Sequence, residues 1–255
     1  MKKLIIAFCL ALLPTSVFAA GGEVHLDHVD LDSTDTASLQ SGAQIFTNYC
    51  MGCHSARFSR YGRVAEDLGI PADLYKENLV FDSGAKMGDL MTIAMPKDQS
   101  KQFFGAAPPD LTMVARVRGT DWLYTYLRTF YRDDSRPWGV NNKTFPNVGM
   151  PHVLLELQGL QECAPGPIAG HEKVDPLTGQ LLAEDPCGSL KITKEGSMTP
   201  DEYDQAMYDL VNFLAYTAEP MANDRKRIGV YVLLFITLFG IFAYLLNREY
   251  WKEIH

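Results

Sequence analysis

The stretch Cys50-Met51-Gly52-Cys53-His54 sets two thiols two residues apart, with an imidazole directly after the second. Three chemistries use such a pair. A structural zinc site takes four ligands, commonly two such pairs; the other cysteines downstream, Cys163 and Cys187, stand far apart in the chain. A thioredoxin-type dithiol expects a βαβ context. Here residues 36–49 (TASLQSGAQIFTNY) place Leu39, Ala43, Phe46 and Tyr49 at helical spacing and run straight into the motif. What remains is the attachment signature of a c-type haem. The thiols add to the two vinyl groups as thioethers, and the adjacent histidine reaches the iron from the proximal side. One covalently bound haem c is therefore expected on Cys50, Cys53 and His54.

The iron then needs a sixth ligand or an open site. A thioether favours electron transfer and raises the potential. Of the ten methionines, Met95 (IAMPKD) and Met150 (NVGMPHV) precede proline. Met91 and Met95 lie four apart in GDLMTIAM and read as an apolar helical face, that is, as core packing. Met150 sits between Gly149 and Pro151 in a loop rich in backbone restraints, able to hold a sulfur rigidly. The residues favour Met150, with Met95 and His152 as rivals; Pro151 and a following helix start should turn His152 away. A haem propionate calls for a cation. Arg116 and Arg118 follow the rigid Gly105–Leu111 turn (GAAPPDL), and alternate spacing keeps both from facing inward; Arg118 is preferred.

Working outward, both ends of the chain are apolar. MKKLIIAFCLALLPTSVFAA carries Lys2 and Lys3, a short apolar run and a small-residue cleavage site, and reads as a secretory signal peptide over residues 1–19. Cys9 leaves with it. Ile228–Leu246 is 19 residues without a charge, about 28 Å as a helix, and matches a hydrocarbon core of roughly 30 Å. Arg225-Lys226-Arg227 and Arg248 flank it, with Tyr231, Tyr244, Tyr250 and Trp251 at interfacial positions. A single membrane anchor over 225–249 is expected, with a short cytoplasmic tail at 250–255. The basic triplet lies on the exported side, but a cleaved signal and a large exported domain override local charge. Residues 20–224 are thus placed in the periplasm of a bacterium, anchored in the inner membrane. That segment holds 16 basic and 29 acidic residues, a net of −13. Such a surface favours a basic partner, and no nucleic acid is expected. In an oxidising compartment thiols pair or take a ligand, which leaves Cys163 and Cys187 for each other.

Between these ends, residues 21–35 are polar and irregular, and 55–110 mix short helices and loops. TDWLYTYLRTFYRD starts a helix at an N-cap candidate, Thr120, with Trp122, Leu123, Tyr126, Leu127 and Phe130 mostly on one face. Residues 133–151 are loop-like. Residues 163–190 suit an excursion or hairpin tied by the disulfide. Thr199, Pro200 and Glu202 form a capping box that opens a helix ended by Pro220. Clear strands are scarce. The fold class expected is mainly α: a small all-α fold wrapped around something large and apolar, plus one C-terminal transmembrane helix.

Four segments in order, SGAQIFTNYCMGCHSARFSRYGRV, GAAPPDLTMVARVRG, FPNVGMPHVLLE and AEPMANDRKRIGVYVLLF, resemble the cytochrome c1 family, the haem subunit of quinol:cytochrome c oxidoreductase (bc1) complexes. The resemblance spans nearly the whole chain after the leader. It implies a class I cytochrome c-like haem domain with insertions, haem bound through Cys50 and Cys53, axial ligands His54 and Met150, and Arg118 at a propionate. It implies no enzyme activity of the chain alone: a Rieske iron-sulfur protein delivers single electrons, a cytochrome c accepts them, and cytochrome b oxidises quinol. Phe104 departs from the pattern, since many members carry Asn there. Competing readings are a c-type subunit of another respiratory complex and a membrane-anchored haem peroxidase or reductase, the latter needing an exchangeable sixth site.

Overall fold

A computed structural model describes residues 25–164 and 187–252. The expected signal peptide, the tip of the 163–190 excursion and the last three residues lie outside them. Helices dominate: α1 (Thr36–Ile45), α2 (Tyr61–Asp67), α3 (Ala72–Leu79), α4 (Lys97–Phe104), α5 (Val114–Arg118), α6 (Thr120–Arg128), α7 (Leu155–Gln158), α8 (Pro200–Ala218) and α9 (Ala222–Tyr250). Three small antiparallel pairs join them: β1 (Ala56–Arg60) with β2 (Leu90–Met91), β3 (Phe130–Arg132) with β4 (Val140–Asn142), and β5 (Gly159–Ala164) with β6 (Ser189–Glu195).

The core is built where α1 crosses α8. Gly42 makes this possible, because a Cβ there would collide with the Asp209 carbonyl and the Phe213 side chain. Phe46 and Phe213 meet at 5.6 Å between ring centroids, both fully buried. The donors at the crossing are paired: Ser38 Oγ donates to Asp209 Oδ1 at 2.7 Å, and Asn212 Nδ2 donates to the Asp32 carbonyl at 2.8 Å, while Asn212 Oδ1 is buried without a partner among the described residues. Such pairing matters because an unpartnered buried polar group costs about 1–3 kcal/mol. Helix α8 begins as the sequence dictates. Thr199 Oγ1 accepts from Glu202 N–H, while Thr199 N–H donates to Glu202 Oε2 at 2.8 Å. Arg128 fastens α6 to α8 through two bonds to Asp204 of 2.6 and 2.9 Å, and reaches Asp27 at 2.6 Å.

Four local expectations are corrected. Helix α1 stops at Ile45, and Phe46–Cys50 form a π turn. Its wider winding adds a residue to the turn and re-aims the side chains beyond it. Met91 belongs to strand β2, paired with Ala56, so Met91 and Met95 do not share a helical face. Thr120 is the first helical residue and not the cap; Gly119, at φ +92°, stands at the cap. Helix α6 ends at Arg128 because Thr129 turns its hydroxyl back to the Thr125 carbonyl and across to Thr144. The β-favouring Phe130-Tyr131 then pairs with Asn142 and Asn141. The 163–190 excursion is a hairpin stem, with Ala164 opposite Ser189 and a Cys163–Cys187 disulfide at its mouth.

Helix α9 buries no residue against the rest of the chain, and its apolar side chains stand exposed along the whole span. At 29 residues it extends about 44 Å, long and apolar enough to cross a membrane.

Candidate haem site

The chain from Phe46 to His54 is wound by consecutive backbone bonds: Met51 N–H to the Phe46 carbonyl at 2.9 Å, Cys53 N–H to Cys50 at 3.1 Å and His54 N–H to Cys50 at 2.9 Å. Cys50, Cys53 and His54 all emerge into one apolar cavity of about 330 Å³. The two thiols are not bonded to each other. Burial, and secondarily the neighbouring Cys53, pushes the Cys50 thiol up to about 12. Among the described residues no group of three metal-ligating side chains gathers, so the zinc reading has no fourfold site.

The proximal side is tightly tied. His54 Nδ1 lies 2.7 Å from the Pro109 carbonyl, which can only accept, so Nδ1 carries the proton and Nε2 keeps its lone pair. Burial lowers the imidazole pKa, which keeps the ring neutral. Pro109 is itself fixed. Leu111 N–H donates to the Ser55 carbonyl at 2.9 Å, and Asp110 accepts from Arg57 N–H at 2.8 Å. The PPDL segment thus clamps the residues that follow the cysteine motif, and a carbonyl on a ring N–H is a common way to orient a ligating histidine.

Helices α5 and α6, the 143–153 loop and Leu210 and Leu214 of α8 supply the other walls. Met150 is on this cavity, whereas Met91 is fully buried in the core and Met95 lies off the lining. Asn142 holds the loop: its Oδ1 accepts from Thr144 N–H and Phe145 N–H, each at 2.9 Å, and its Nδ2 donates to the Tyr126 carbonyl at 2.8 Å. Gly149 lets the loop lie against the Phe104 carbonyl, 3.2 Å from where a Cβ would stand. Tyr126 donates its hydroxyl to Met150 Sδ at 3.4 Å, and burial raises its pKa so the proton stays on. Its ring is stacked on Trp122 at 4.8 Å and meets Phe130 edge-on at 5.1 Å. His152 turns off the cavity and stacks on Phe130 at 4.8 Å, its pKa pushed down to about 4 by burial.

Arg118 lines the cavity and lies over Trp122 at 5.1 Å and Phe145 at 5.7 Å. It makes no ion pair among the described residues, so its charge is available to an anion at the cavity rim. Arg116 is not on the lining. Phe104 is on the lining and packs against Trp138 at 5.5 Å, an apolar wall where a hydrogen bond would otherwise be sought. Sequence reasoning missed Tyr126 and Asn142 as site residues, because their roles arise from contacts that no local pattern marks.

The donor set suits a haem c: a free thiol pair on one turn, a neutral imidazole with a free Nε2, a thioether, an unpaired cation, and apolar walls. Joined to a long exposed apolar helix, it defines the class as a membrane-anchored c-type cytochrome. The chain belongs to the cytochrome c1 family, whose model matches residues 28–254. It is 50% identical to the cytochrome c1 of Allochromatium vinosum over 255 residues, the full length of both chains. It is 45% identical to a Nitrosomonas europaea protein named ammonia monooxygenase gamma subunit, over 100% of this chain and 99% of that one. It is 24% identical to the cytochrome c1 of Rhodobacter capsulatus over 98% of this chain and 97% of that one. Cytochrome c1 carries covalently bound haem c and is a membrane-anchored electron-transfer subunit of the bc1 complex, not an enzyme on its own.

Proposed function

We propose that this chain relays single electrons from a Rieske iron-sulfur protein to a cytochrome c acceptor, beside a cytochrome b that oxidises quinol. The supporting observation is the meeting of Cys50, Cys53, His54 and Met150 on one apolar cavity. Bound haem c supplies a one-electron ferric/ferrous couple. Cys50 and Cys53 hold it as thioethers. His54 Nε2 would hold the iron, its Nδ1 proton fixed on the Pro109 carbonyl. Met150 Sδ, on the same cavity, would be the second protein ligand to the iron, and two protein ligands would leave no place for a substrate there. Arg118 neutralises a propionate, and the apolar walls exclude water and so favour the less charged, reduced state.

Residues 1–19 act as a signal peptide, 20–224 form a periplasmic haem domain, 225–249 cross the bacterial inner membrane and 250–255 face the cytoplasm. The negative charge of the exported segment speeds encounter with a basic acceptor. A second reading rests on the full-length likeness to a protein named as a monooxygenase subunit: the same cytochrome serving a different membrane complex. Carbon monoxide tests the closed sixth site that both share. The reduced protein is expected to form no carbonyl adduct at neutral pH; ready adduct formation would instead indicate an exchangeable site of the peroxidase or reductase kind.

A further inference from the structure

We propose that Tyr126 is a positioning residue for the sixth ligand: its hydroxyl donates to the thioether sulfur of Met150 and so tunes the reduction potential. The inference rests on Met150 being that ligand. A thioether sulfur has two lone pairs, so it can give one to iron and accept a hydrogen bond on the other. The 3.4 Å separation is that of a hydroxyl-to-sulfur bond, and it is the hydrogen bond the Tyr126 hydroxyl makes among the described residues.

The ring has little freedom to leave. Trp122 stacks on one face at 4.8 Å with the planes 9° apart, and Phe130 presses edge-on at 5.1 Å. Behind it, Asn142 Nδ2 holds the Tyr126 carbonyl at 2.8 Å while Asn142 Oδ1 holds Thr144 and Phe145 of the loop that carries Met150. One buried asparagine therefore sets donor and acceptor relative to each other. The O–H dipole points its positive end at the sulfur. That end favours an added electron and draws density from the sulfur that would otherwise stabilise the ferric state. In a cavity poor in water the effect is not screened away. The bond also restrains the Met150 side chain against leaving.

The test is Tyr126→Phe in the full chain with its haem, solubilised in mild detergent. The ring and its stack on Trp122 are kept and only the hydroxyl goes. The variant is expected to retain the far-red sulfur-to-iron charge-transfer band, displaced from its original position, and to titrate at a lower potential. It should also bind carbon monoxide or imidazole faster. Unchanged band, potential and ligand capture would overturn the proposal and leave Met150 ligation standing. Absence of the band from the unaltered protein would overturn both. Nuclear magnetic resonance of the reduced, unaltered chain gives a reading that needs no variant. The Tyr126 hydroxyl proton is expected to exchange slowly and to show a nuclear Overhauser effect to the Met150 methyl; a rapidly exchanging hydroxyl contradicts the bond.

Discussion

Under the proposed ligation Met150 and Tyr126 act as a pair, one giving a sulfur and the other shaping it. Replacing Met150 by Leu keeps the volume and the apolar wall but removes the thioether. Haem attachment through Cys50 and Cys53 should survive, and the potential should fall by on the order of 0.1 V, within the roughly 0.8 V that axial ligands control; redox titration of the variant reads this directly. The cysteine motif was legible because covalent haem attachment dictates both spacing and neighbour. The place of Met150 on the cavity was legible as a preference, since its Gly and Pro neighbours mark a rigid loop. Tyr126 and Asn142 were not. Tyr126 lay on a helical face that reads equally well as core. Asn142 earns its place only through contacts with Tyr126, Thr144 and Phe145, which no local pattern encodes.

Elements carry a second layer of restraint. The hairpin of β5 and β6 is closed by Cys163–Cys187, 24 residues apart, and loop-closure entropy puts such a bond at roughly 3 kcal/mol. Replacing both cysteines by Ser should lower the thermal midpoint and leave the haem spectrum intact, because neither residue lines the cavity. The N-terminal segment is clasped to α6 by a pH-sensitive contact: His28 Nδ1 to Asp121 Oδ2 at 3.0 Å, with Val29 N–H on Asp121 Oδ1 at 3.0 Å. The hydrogen bond to Asp121, then its charge, raises the His28 pKa; the bond from His28, then that from Val29, lowers the Asp121 pKa. The His28 share is complete below its ordinary value near 6.5 and fades as pH rises through the raised folded value. The Asp121 share is complete above the ordinary carboxylate range and is lost as pH falls through the lowered folded value. Protection factors at residues 25–32, taken relative to the intrinsic exchange rate at each pH, should be highest in mildly acidic buffer and fall on both sides, with the alkaline fall absent in His28→Gln. The capping box of α8 could be read from three residues, but the π turn at Phe46–Cys50 and the strand at Phe130–Arg132 could not. Each departs from a continuing helical pattern for a tertiary reason: the cavity in one case, the Asn141-Asn142 strand in the other.

At the scale of the whole molecule, an acidic haem domain continues from α8 into α9 across Glu219–Met221. The mainly α class and the single apolar anchor follow from helical periodicity and from a span without charges, both properties of the chain itself. Which complex surrounds it is not a property of one chain, because partner surfaces are recognised only when paired. The proposed relay takes its electrons within a quinol-oxidising complex. Mild-detergent purification through a tag on the chain, with haem staining and quinol-driven reduction of the purified material, tests it most directly. A cytochrome b and a Rieske iron-sulfur protein are expected in the same fraction, with a haem reduced by quinol at a rate that collapses when the Rieske protein is stripped away. A haem-stained chain that purifies with a different set of membrane subunits, or that quinol leaves oxidised, would contradict it.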